Sequence, residues 1–249
     1  MNVNIVHYEE IDSTNTEARR FSKAGAETGL VVTAKKQTAG KGRRGRSWES
    51  PADENLYFSI LLRPTFVPEK APMLTLLMAY SVAKALQKQE IHALIKWPND
   101  LVLSKKKICG ILTEMNLSGN QVEDVIIGVG LNVNTMKFPK ELEDKATSLR
   151  RETGKELKCG ELLTLILTEF EAQYQRFLKV LDLSVIREDY NRMLINRGRE
   201  VMVLEPGKEY LAEALGVNEL GELLVQKEDG RIEAVFAGEV SVRGIYGYV

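Results

Sequence analysis

The spacing of hydrophobic and polar residues divides this chain into a long part that mixes helices with strands and a short part that contains strands alone. Apolar residues recur at helical spacing in four segments of the long part. These segments predict helices over residues 13–25, 73–89, 160–178 and 183–194. Between them, alternating or continuous apolar runs indicate strands. These runs predict strands over residues 30–36, 56–62, 94–97, 101–103, 107–115 and 122–129.

The first predicted helix has a recognisable start signal. Thr14 and Glu17 have the spacing of a capping box, in which each side chain satisfies a free backbone N–H at the helix start. We therefore expect these two side chains to cap the helix. The N-terminal amides of this helix would then point at any ligand that binds there.

The connections between strands decide the predicted fold class. Successive strands are joined by tight, polar turns at 104–106 and 117–120, which is typical of an antiparallel or mixed sheet. Helices lie beside this sheet and do not alternate with every strand, so the class is α+β, a mixed sheet layered with helices, and not a Rossmann fold. The segment Gly128-Val129-Gly130 also lacks the spacing of a dinucleotide fingerprint.

The pattern changes after Asn196-Arg197-Gly198, where short strands alternate with glycine-containing turns. Such a segment of roughly fifty residues is typical of a small β-barrel. The predicted strands cover residues 201–204, 210–217, 223–226, 232–236 and 239–242. We therefore expect two domains, a first over residues 1–195 and a second over residues 196–249.

Composition excludes several classes of function. The chain has 249 residues, 44% hydrophobic residues and a formal net charge of −1, as expected for a globular protein without the basic excess of a non-specific nucleic-acid binder. Its two cysteines allow one disulfide but form no disulfide framework, and Cys109 is expected to be a small buried residue. Neither histidine has companions at metal-ligand spacing, and no serine-hydrolase or P-loop motif is present. No signal peptide or membrane-spanning run is visible, which predicts a cytoplasmic protein.

The strongest chemical signal is the segment Gly40-Lys41-Gly42-Arg43-Arg44-Gly45-Arg46-Ser47-Trp48, called the basic loop below. Glycine lets a backbone approach a ligand closely, and the cations and free N–H groups suit a phosphate ester. Taken alone, this loop is better explained as a solvated turn or a nucleic-acid contact, because clusters of glycine and arginine are common.

Three further segments change this interpretation. They are Ser13-Thr14-Asn15, the pair Lys96-Trp97-Pro98-Asn99-Asp100 and Lys107-Ile108-Cys109-Gly110-Ile111, and Gly128-Val129-Gly130-Leu131-Asn132. In this order and spacing, they resemble the biotin–protein ligases (biotin–[acetyl-CoA-carboxylase] ligases). The resemblance extends from about Tyr8 to Arg243 and implies a class II synthetase-like catalytic domain followed by an SH3-like C-terminal domain.

The resemblance implies a two-step reaction. Biotin and ATP form biotinyl-5′-AMP, and a lysine of the biotin carboxyl carrier protein of acetyl-CoA carboxylase then takes the biotinyl group. ATP would bring Mg²⁺, and no fixed protein metal site is expected. Tyr8 lies so near the start that no operator-binding domain, and hence no DNA partner, is expected. No membrane partner is expected either, and the resemblance allows a homodimer.

The resemblance also assigns roles to individual residues. Lys107 would bridge the biotin carboxylate and the α-phosphate, with its head group toward solvent, while Lys105 and Lys106 would be solvated turn charges. Asp100 would act as a base or orient the acceptor lysine, so the catalytic set is Lys107, Arg43, Lys96 and Asp100. The biotin-binding set is Ser13, Thr14, Asn15, Gln37, Lys41, Gly42, Arg43, Lys107, Gly110 and Gly130. The ATP-binding set is Arg43, Arg46, Trp48, Lys96, Asn99, Asn132 and Arg243.

Two alternatives remain open from the sequence. A lipoate–protein ligase would share the fold and the acyl-adenylate chemistry, but that family usually has a different glycine-rich loop and no Lys-Trp-Pro-Asn-Asp. A nucleic-acid-binding module could use the basic loop to follow a phosphate backbone, although the near-zero net charge opposes this.

Overall fold

A seven-stranded sheet forms the centre of the protein. The computed structural model describes residues 2–50, 55–205, 208–236 and 241–244, with the backbone alone at 205, 208 and 241–244. The strands are β1 (Asn4–Ile11), β2 (Leu30–Gln37), β3 (Leu56–Leu62), β4 (Leu94–Lys96), β5 (Asp100–Leu103), β6 (Lys106–Ser118) and β7 (Gln121–Leu131). They lie in the order β1-β2-β3-β7-β6-β5-β4. Strands β1 and β2 are parallel and all the other neighbours are antiparallel, so the predicted mixed sheet is confirmed.

The hydrophobic pattern did not predict β1, because its apolar alternation is too short. Only Val6 and Tyr8 alternate with exposed neighbours and pack, half-buried, against the core. The strand forms through its backbone, which pairs with β2 along the edge of the sheet.

The helices are α1 (Thr14–Lys23), α2 (Met73–Gln87), α3 (Leu149–Thr153), α4 (Cys159–Val180) and α5 (Arg187–Met193). Helices α1 and α2 pack on the sheet, and α4 packs on α2. Helix α2 is buried at 12 of its 15 positions, as its apolar sequence predicted, and it packs against both the sheet and α4. The single helix predicted over 183–194 is wrong in detail, since a 3-10 turn at Leu183–Val185 precedes α5. The short helix α3 was not predicted.

The capping box predicted at Thr14 and Glu17 is wrong. Helix α1 begins at Thr14, and Ser13 precedes it without a side-chain cap hydrogen bond. The Glu17 carboxylate accepts hydrogen bonds from Tyr8 and Arg20. The Thr14 hydroxyl contacts Gln37 and Ser59, so neither predicted capping side chain caps the helix.

A smaller, five-stranded antiparallel sheet follows at the C-terminal end, as predicted. It contains β8 (Arg199–Glu205), β9 (Lys208–Val217), β10 (Leu223–Gln226), β11 (Ile232–Val235) and β12 (Ser241–Gly244), in the order β11-β10-β9-β8-β12. Residues 239 and 240 of the predicted last strand lie outside the described residues. The boundary between residues 195 and 196 stays a prediction.

The two sheets share contacts around Trp97. The Trp97 indole N–H donates to the Gly221 carbonyl at 3.1 Å, and its backbone N–H donates to the Asn196 side chain at 3.0 Å. Val201 and Val203 of β8 belong to the same hydrophobic core as α2 and β6. These contacts attach the turn between β4 and β5, which carries Asn99, to the C-terminal sheet.

Two predictions from composition can be compared with the structure. Cys109 and Cys159 are both free thiols. Cys109 is completely buried on β6, and burial raises the pKa of its thiol far above the ordinary value, which agrees with its prediction as a small core residue. Within the described residues, no helix is long and apolar enough to cross a membrane.

Candidate active site

A narrow cavity of about 50 Å³ lies where the start of α1, the basic loop and the centres of β6 and β7 meet. All ten residues of the predicted biotin-binding set line it, together with Trp48 and Asn99 of the predicted ATP-binding set. The structure adds Ile111, Leu112, Gly128 and Val129 to the lining. A larger groove of about 1050 Å³ on the C-terminal sheet contains none of the predicted site residues.

Strand register explains two of the four additional lining residues, Leu112 and Gly128. Gly110 is paired with Gly130, and Leu112 is paired with Gly128, across the antiparallel strands β6 and β7. Paired residues, and residues two positions apart on a strand, point to the same face of a sheet. The register could have identified Leu112 and Gly128 from the sequence once β6 and β7 were correctly paired.

Neutral polar groups form the α1 end of the cavity. Ser13, Thr14 and Asn15 are all buried, with at most 4% of their surface exposed. The Gln37 side-chain oxygen accepts from the Thr14 backbone N–H at 2.9 Å and from the Thr14 hydroxyl at 3.1 Å. The Gln37 NH₂ group donates to the Ser50 hydroxyl at 2.9 Å, so the amide is held in one orientation. This end of the cavity offers hydrogen-bonding groups without formal charge.

The Asn15 side chain is held by residues from three strands. Its NH₂ group donates to the Glu114 carboxylate at 2.8 Å and to the Leu112 carbonyl at 3.4 Å. Its oxygen lies 2.6 Å from the Ser59 hydroxyl, which is also 2.8 Å from the Thr14 hydroxyl. A Cβ atom at Gly128 would lie 2.0 Å from the Asn15 oxygen, so only glycine leaves room for this side chain.

The basic loop closes one side of the cavity through its own hydrogen bonds. The Gly42 N–H donates to the Arg46 carbonyl at 2.7 Å, and the Trp48 N–H donates to the Gly40 carbonyl at 2.9 Å. Arg44 has a left-handed backbone with φ of 58°. Lys41 pairs with Ser47 in an isolated β-bridge. The loop thus has a defined hairpin-like path.

The Trp48 indole lies on the floor of the cavity. A Cβ atom at Gly130 would be 2.4 Å from the indole nitrogen, and one at Gly110 would be 2.8 Å from the ring carbon Cζ3. The indole N–H is buried and has no hydrogen-bond partner in the described part of the chain. The two glycines therefore provide the space that the indole fills, and Trp48 anchors the loop to the sheet.

Lys107 forms an ion pair at the other end of the cavity. Its Nζ atom lies 2.6 Å from the Asp100 carboxylate and 5.0 Å from the centre of the Trp48 ring. Only 23% of the Lys107 side chain and 14% of the Asp100 side chain are exposed. The prediction that the Lys107 head group points to solvent is wrong, because β5 places an acidic partner beside it.

The neighbouring lysines differ from one another. Lys105 is exposed in the turn, as predicted. Lys106 belongs to β6, and its ammonium group donates to the Glu143 carbonyl at 2.9 Å. The prediction that Lys106 is only a solvated turn charge is therefore wrong, since residues 142–146 fold back along the start of β6.

Arg43 connects the basic loop to the turn before β5. Its guanidinium donates to the Asn99 side-chain oxygen at 3.1 Å, and the Asn99 NH₂ group donates to the Ile111 carbonyl at 3.0 Å. Burial lowers the pKa of Arg43 below its usual value, the nearby Arg44 and Arg46 act in the same direction, and Asp100 opposes them. Arg43 is therefore a partly desolvated cation that faces the cavity.

Four predicted site residues with described side chains, Lys96, Asp100, Arg46 and Asn132, do not line this cavity. Lys96 is buried at the end of β4, paired in register with Asp100, while Arg46 is exposed on the loop. The buried Asn132 side chain donates to the Thr147 carbonyl at 3.1 Å. The Arg243 backbone pairs with Met202, and its side chain lies outside the described residues.

Comparison with known proteins places this architecture in a family. A sequence model described as the biotin/lipoate A/B protein ligase family matches residues 8–132, and one described as the biotin protein ligase C-terminal domain matches residues 198–243. The chain belongs to the biotin protein ligase family. The first match contains the cavity residues, and the second covers most of the C-terminal sheet.

Individual members of the biotin protein ligase family align over nearly the whole chain. A biotin–[acetyl-CoA-carboxylase] ligase of Paracoccus denitrificans is 31% identical over 94% of this chain and 98% of its own length. The bifunctional ligase/repressor BirA of Bacillus subtilis is 32% identical over 97% of this chain and 75% of its own length. The structure of the Aquifex aeolicus biotin protein ligase in complex with biotin and ATP superimposes with a TM-score of 0.84, at 32% identity, over 97% of this chain and 99% of that one.

Proposed function

We propose that this protein is a biotin–protein ligase, which activates biotin with ATP to biotinyl-5′-AMP and transfers biotin to a lysine of a biotin carboxyl carrier protein. The observation that carries the proposal is the cavity, which combines a neutral polar end at α1 with cations at the opposite side. Family membership and the ligases named above support the same reaction.

The two ends of the cavity suit the two ends of biotin. The ureido ring is neutral and carries both hydrogen-bond donors and acceptors, which matches Thr14, Asn15 and Gln37. The valerate chain would lie along the Trp48 indole, which fills the space over Gly110 and Gly130. Its carboxylate would then reach Lys107.

The first step brings two anions together. A biotin carboxylate oxygen attacks the α-phosphorus of ATP, the new O–P bond forms, and the bond to pyrophosphate breaks. Lys107 and Arg43 supply positive charge in a partly desolvated site, where preorganised charges stabilise a transition state most effectively. We propose that Lys107 exchanges its Asp100 partner for the ligand oxygens during this step.

The second step releases AMP. The amine of the acceptor lysine attacks the acyl carbon of the adenylate, the amide bond forms, and the bond to the AMP phosphate oxygen breaks. The attacking ammonium group must first lose a proton. Asp100 is the carboxylate beside Lys107, so we assign it the role of accepting that proton or orienting the amine.

We propose that Mg²⁺ binds together with ATP. Among the described residues, no three histidine, cysteine or acidic side chains form a metal centre. Mg²⁺ commonly binds to phosphates with few protein ligands, and it would neutralise charge on the phosphates. Asn99 is the neutral oxygen donor that faces this part of the cavity.

Partners and location follow from the same reaction. The carrier protein of acetyl-CoA carboxylase is the expected acceptor, since that enzyme is named in the relatives. Because the reaction consumes ATP, we place it in the cytoplasm. Within the described residues β1 is an edge strand, and we propose that a homodimer forms through this edge.

A lipoate–protein ligase is the main competing function. A dithiolane ring has no N–H or carbonyl group, so it would leave the polar groups of Thr14, Asn15 and Gln37 without a matching ligand. ATP–pyrophosphate exchange measured with biotin, with lipoate and without either acid tests the proposal. Exchange that requires biotin supports it, whereas exchange that requires lipoate, or no exchange with either acid, would reject it.

A further inference from the structure

We propose that Glu114, Ser59 and Gly128 are positioning residues that hold the Asn15 side chain as a pure hydrogen-bond acceptor toward the ligand. This inference rests on the proposed function, because it concerns recognition of the ureido ring of biotin. It assigns specificity to three residues that lie behind the cavity wall or form part of its floor.

The partners of the Asn15 amide fix its orientation. A carboxylate oxygen of Glu114 accepts a hydrogen bond, so the Asn15 atom 2.8 Å away must be the NH₂ group. The Leu112 carbonyl can also only accept, and it lies 3.4 Å from the same nitrogen. Two acceptors on one side leave the amide oxygen on the other side, next to the Ser59 hydroxyl.

Few of the hydrogen bonds that the Asn15 amide can form remain available to a ligand. Both N–H groups of Asn15 are directed to protein acceptors, Glu114 and Leu112. The amide oxygen has two lone pairs, and Ser59 occupies one of them, since we assign its single hydroxyl proton to this 2.6 Å contact and not to the 2.8 Å contact with Thr14. The remaining lone pair is what Asn15 can offer to a ligand, and it matches an N–H donor.

The residues beneath Asn15 fix the position of its side chain. Gly128 is paired with Ser59 on β3 and with Leu112 on β6, so these residues lie side by side under Asn15. Asn15 is 3% exposed, and a Cβ atom at Gly128 would be 2.0 Å from its oxygen. The amide therefore cannot stay in this place if position 128 carries a side chain.

The fixed Asn15 oxygen makes the site selective for ligands that present an N–H group to it. A buried acceptor that finds no donor is costly, so an amide held in one orientation rejects ligands that lack an N–H at that point. An amide free to rotate would present either its oxygen or its NH₂ group and would discriminate less. Glu114 is the residue that prevents this rotation.

The test uses Glu114→Gln, which keeps the size of the side chain but allows it to donate. The Asn15 amide can then turn over, and biotin should bind about tenfold more weakly, as expected for one lost hydrogen bond. The KM for ATP should not change. Glu123→Gln, the same change at an exposed position on β7, is the matched control and should leave both values unaffected.

A second measurement separates orientation from general support of the fold. A biotin analogue methylated on a ureido nitrogen lacks one donor, and its Kd relative to that of biotin measures donor recognition. In Glu114→Gln this ratio should fall several-fold. The double variant Asn15→Asp with Glu114→Gln restores an acceptor at 15 and a donor at 114, so it should recover most of the biotin affinity that each single variant loses.

The outcomes are distinct. If the wild-type protein shows no biotin-dependent exchange, the proposed function fails. If the wild type binds biotin but Glu114→Gln keeps the same Kd and the same ratio, or weakens biotin and ATP equally, the positioning role is wrong. Gly128→Ala should weaken biotin by more than tenfold with ATP unaffected, and normal biotin affinity in this variant would also overturn the inference.

Discussion

Replacing Lys107 by alanine should abolish most of the adenylation activity while the protein remains folded. The ammonium group lies 2.6 Å from Asp100 in the cavity, in the position to stand between a carboxylate and a phosphate. Loss of one preorganised charge in such a site removes about 2–4 kcal/mol of transition-state stabilisation, a factor of roughly 30 to 900 in rate. We expect a loss in this range in biotin-dependent pyrophosphate exchange.

The ion pair sets the expected cost in stability. Removing one partner of a fully buried pair costs about 3–5 kcal/mol, and an exposed pair contributes at most about 1 kcal/mol. Asp100 is 14% exposed and Lys107 is 23% exposed, so we place the cost at about 2 kcal/mol. For a chain of this size, this corresponds to a drop of about 4–8 °C in Tm.

A double variant separates the two effects. Lys107→Ala with Asp100→Ala also removes the carboxylate that loses its Lys107 ion pair, so Tm should return toward the wild-type value while exchange stays low. Lys105→Ala, at an exposed turn position, should be neutral in both assays. The assignment fails if exchange recovers together with Tm in the double variant, or if Lys107→Ala and Lys105→Ala lose equally little activity.

Three further predictions concern the loop and α1. Trypsin should cut the basic loop at its lysine and arginines, and biotin with ATP should protect the loop from cleavage. Cleavage at the same rate with and without these ligands would show that the loop does not close over them. The chain has two tryptophans, and Trp97 is buried away from the cavity. A change in tryptophan fluorescence on ligand binding should therefore come from Trp48 and disappear in Trp48→Phe. A change that persists in this variant would contradict the prediction. Asp124, 1% exposed, accepts from Arg19 at 3.0 Å and from Ser22 at 2.6 Å, so Asp124→Ala should destabilise the protein by about 3–5 kcal/mol. A urea-unfolding midpoint within error of the wild type would rule out that anchoring role for α1.

Several features of this protein could be predicted from the sequence by itself. The bounds of β3 and β10 agree with the apolar runs to the residue, and α2 was expected to be buried because 11 of its 15 residues are apolar. The predicted biotin-binding residues all line one cavity, although they come from separate segments. These predictions succeeded for two physical reasons. The spacing of apolar residues along the chain shows which face of a helix or strand is buried. The chemistry of a ligand restricts the types of residue that can bind it.

Tertiary structure alone decided which groups meet. Asn15 and Glu114 are 99 positions apart, and Arg43 and Asn99 are 56 positions apart, so no local pattern relates them. The same holds for Lys107, whose partner Asp100 is brought into contact by the pairing of β5 with β6. Strand β1 shows the opposite case, in which backbone pairing with a neighbour creates an element that the side-chain pattern does not mark. A hydrogen bond or ion pair depends on distances of a few ångströms, and only the folded chain determines those distances.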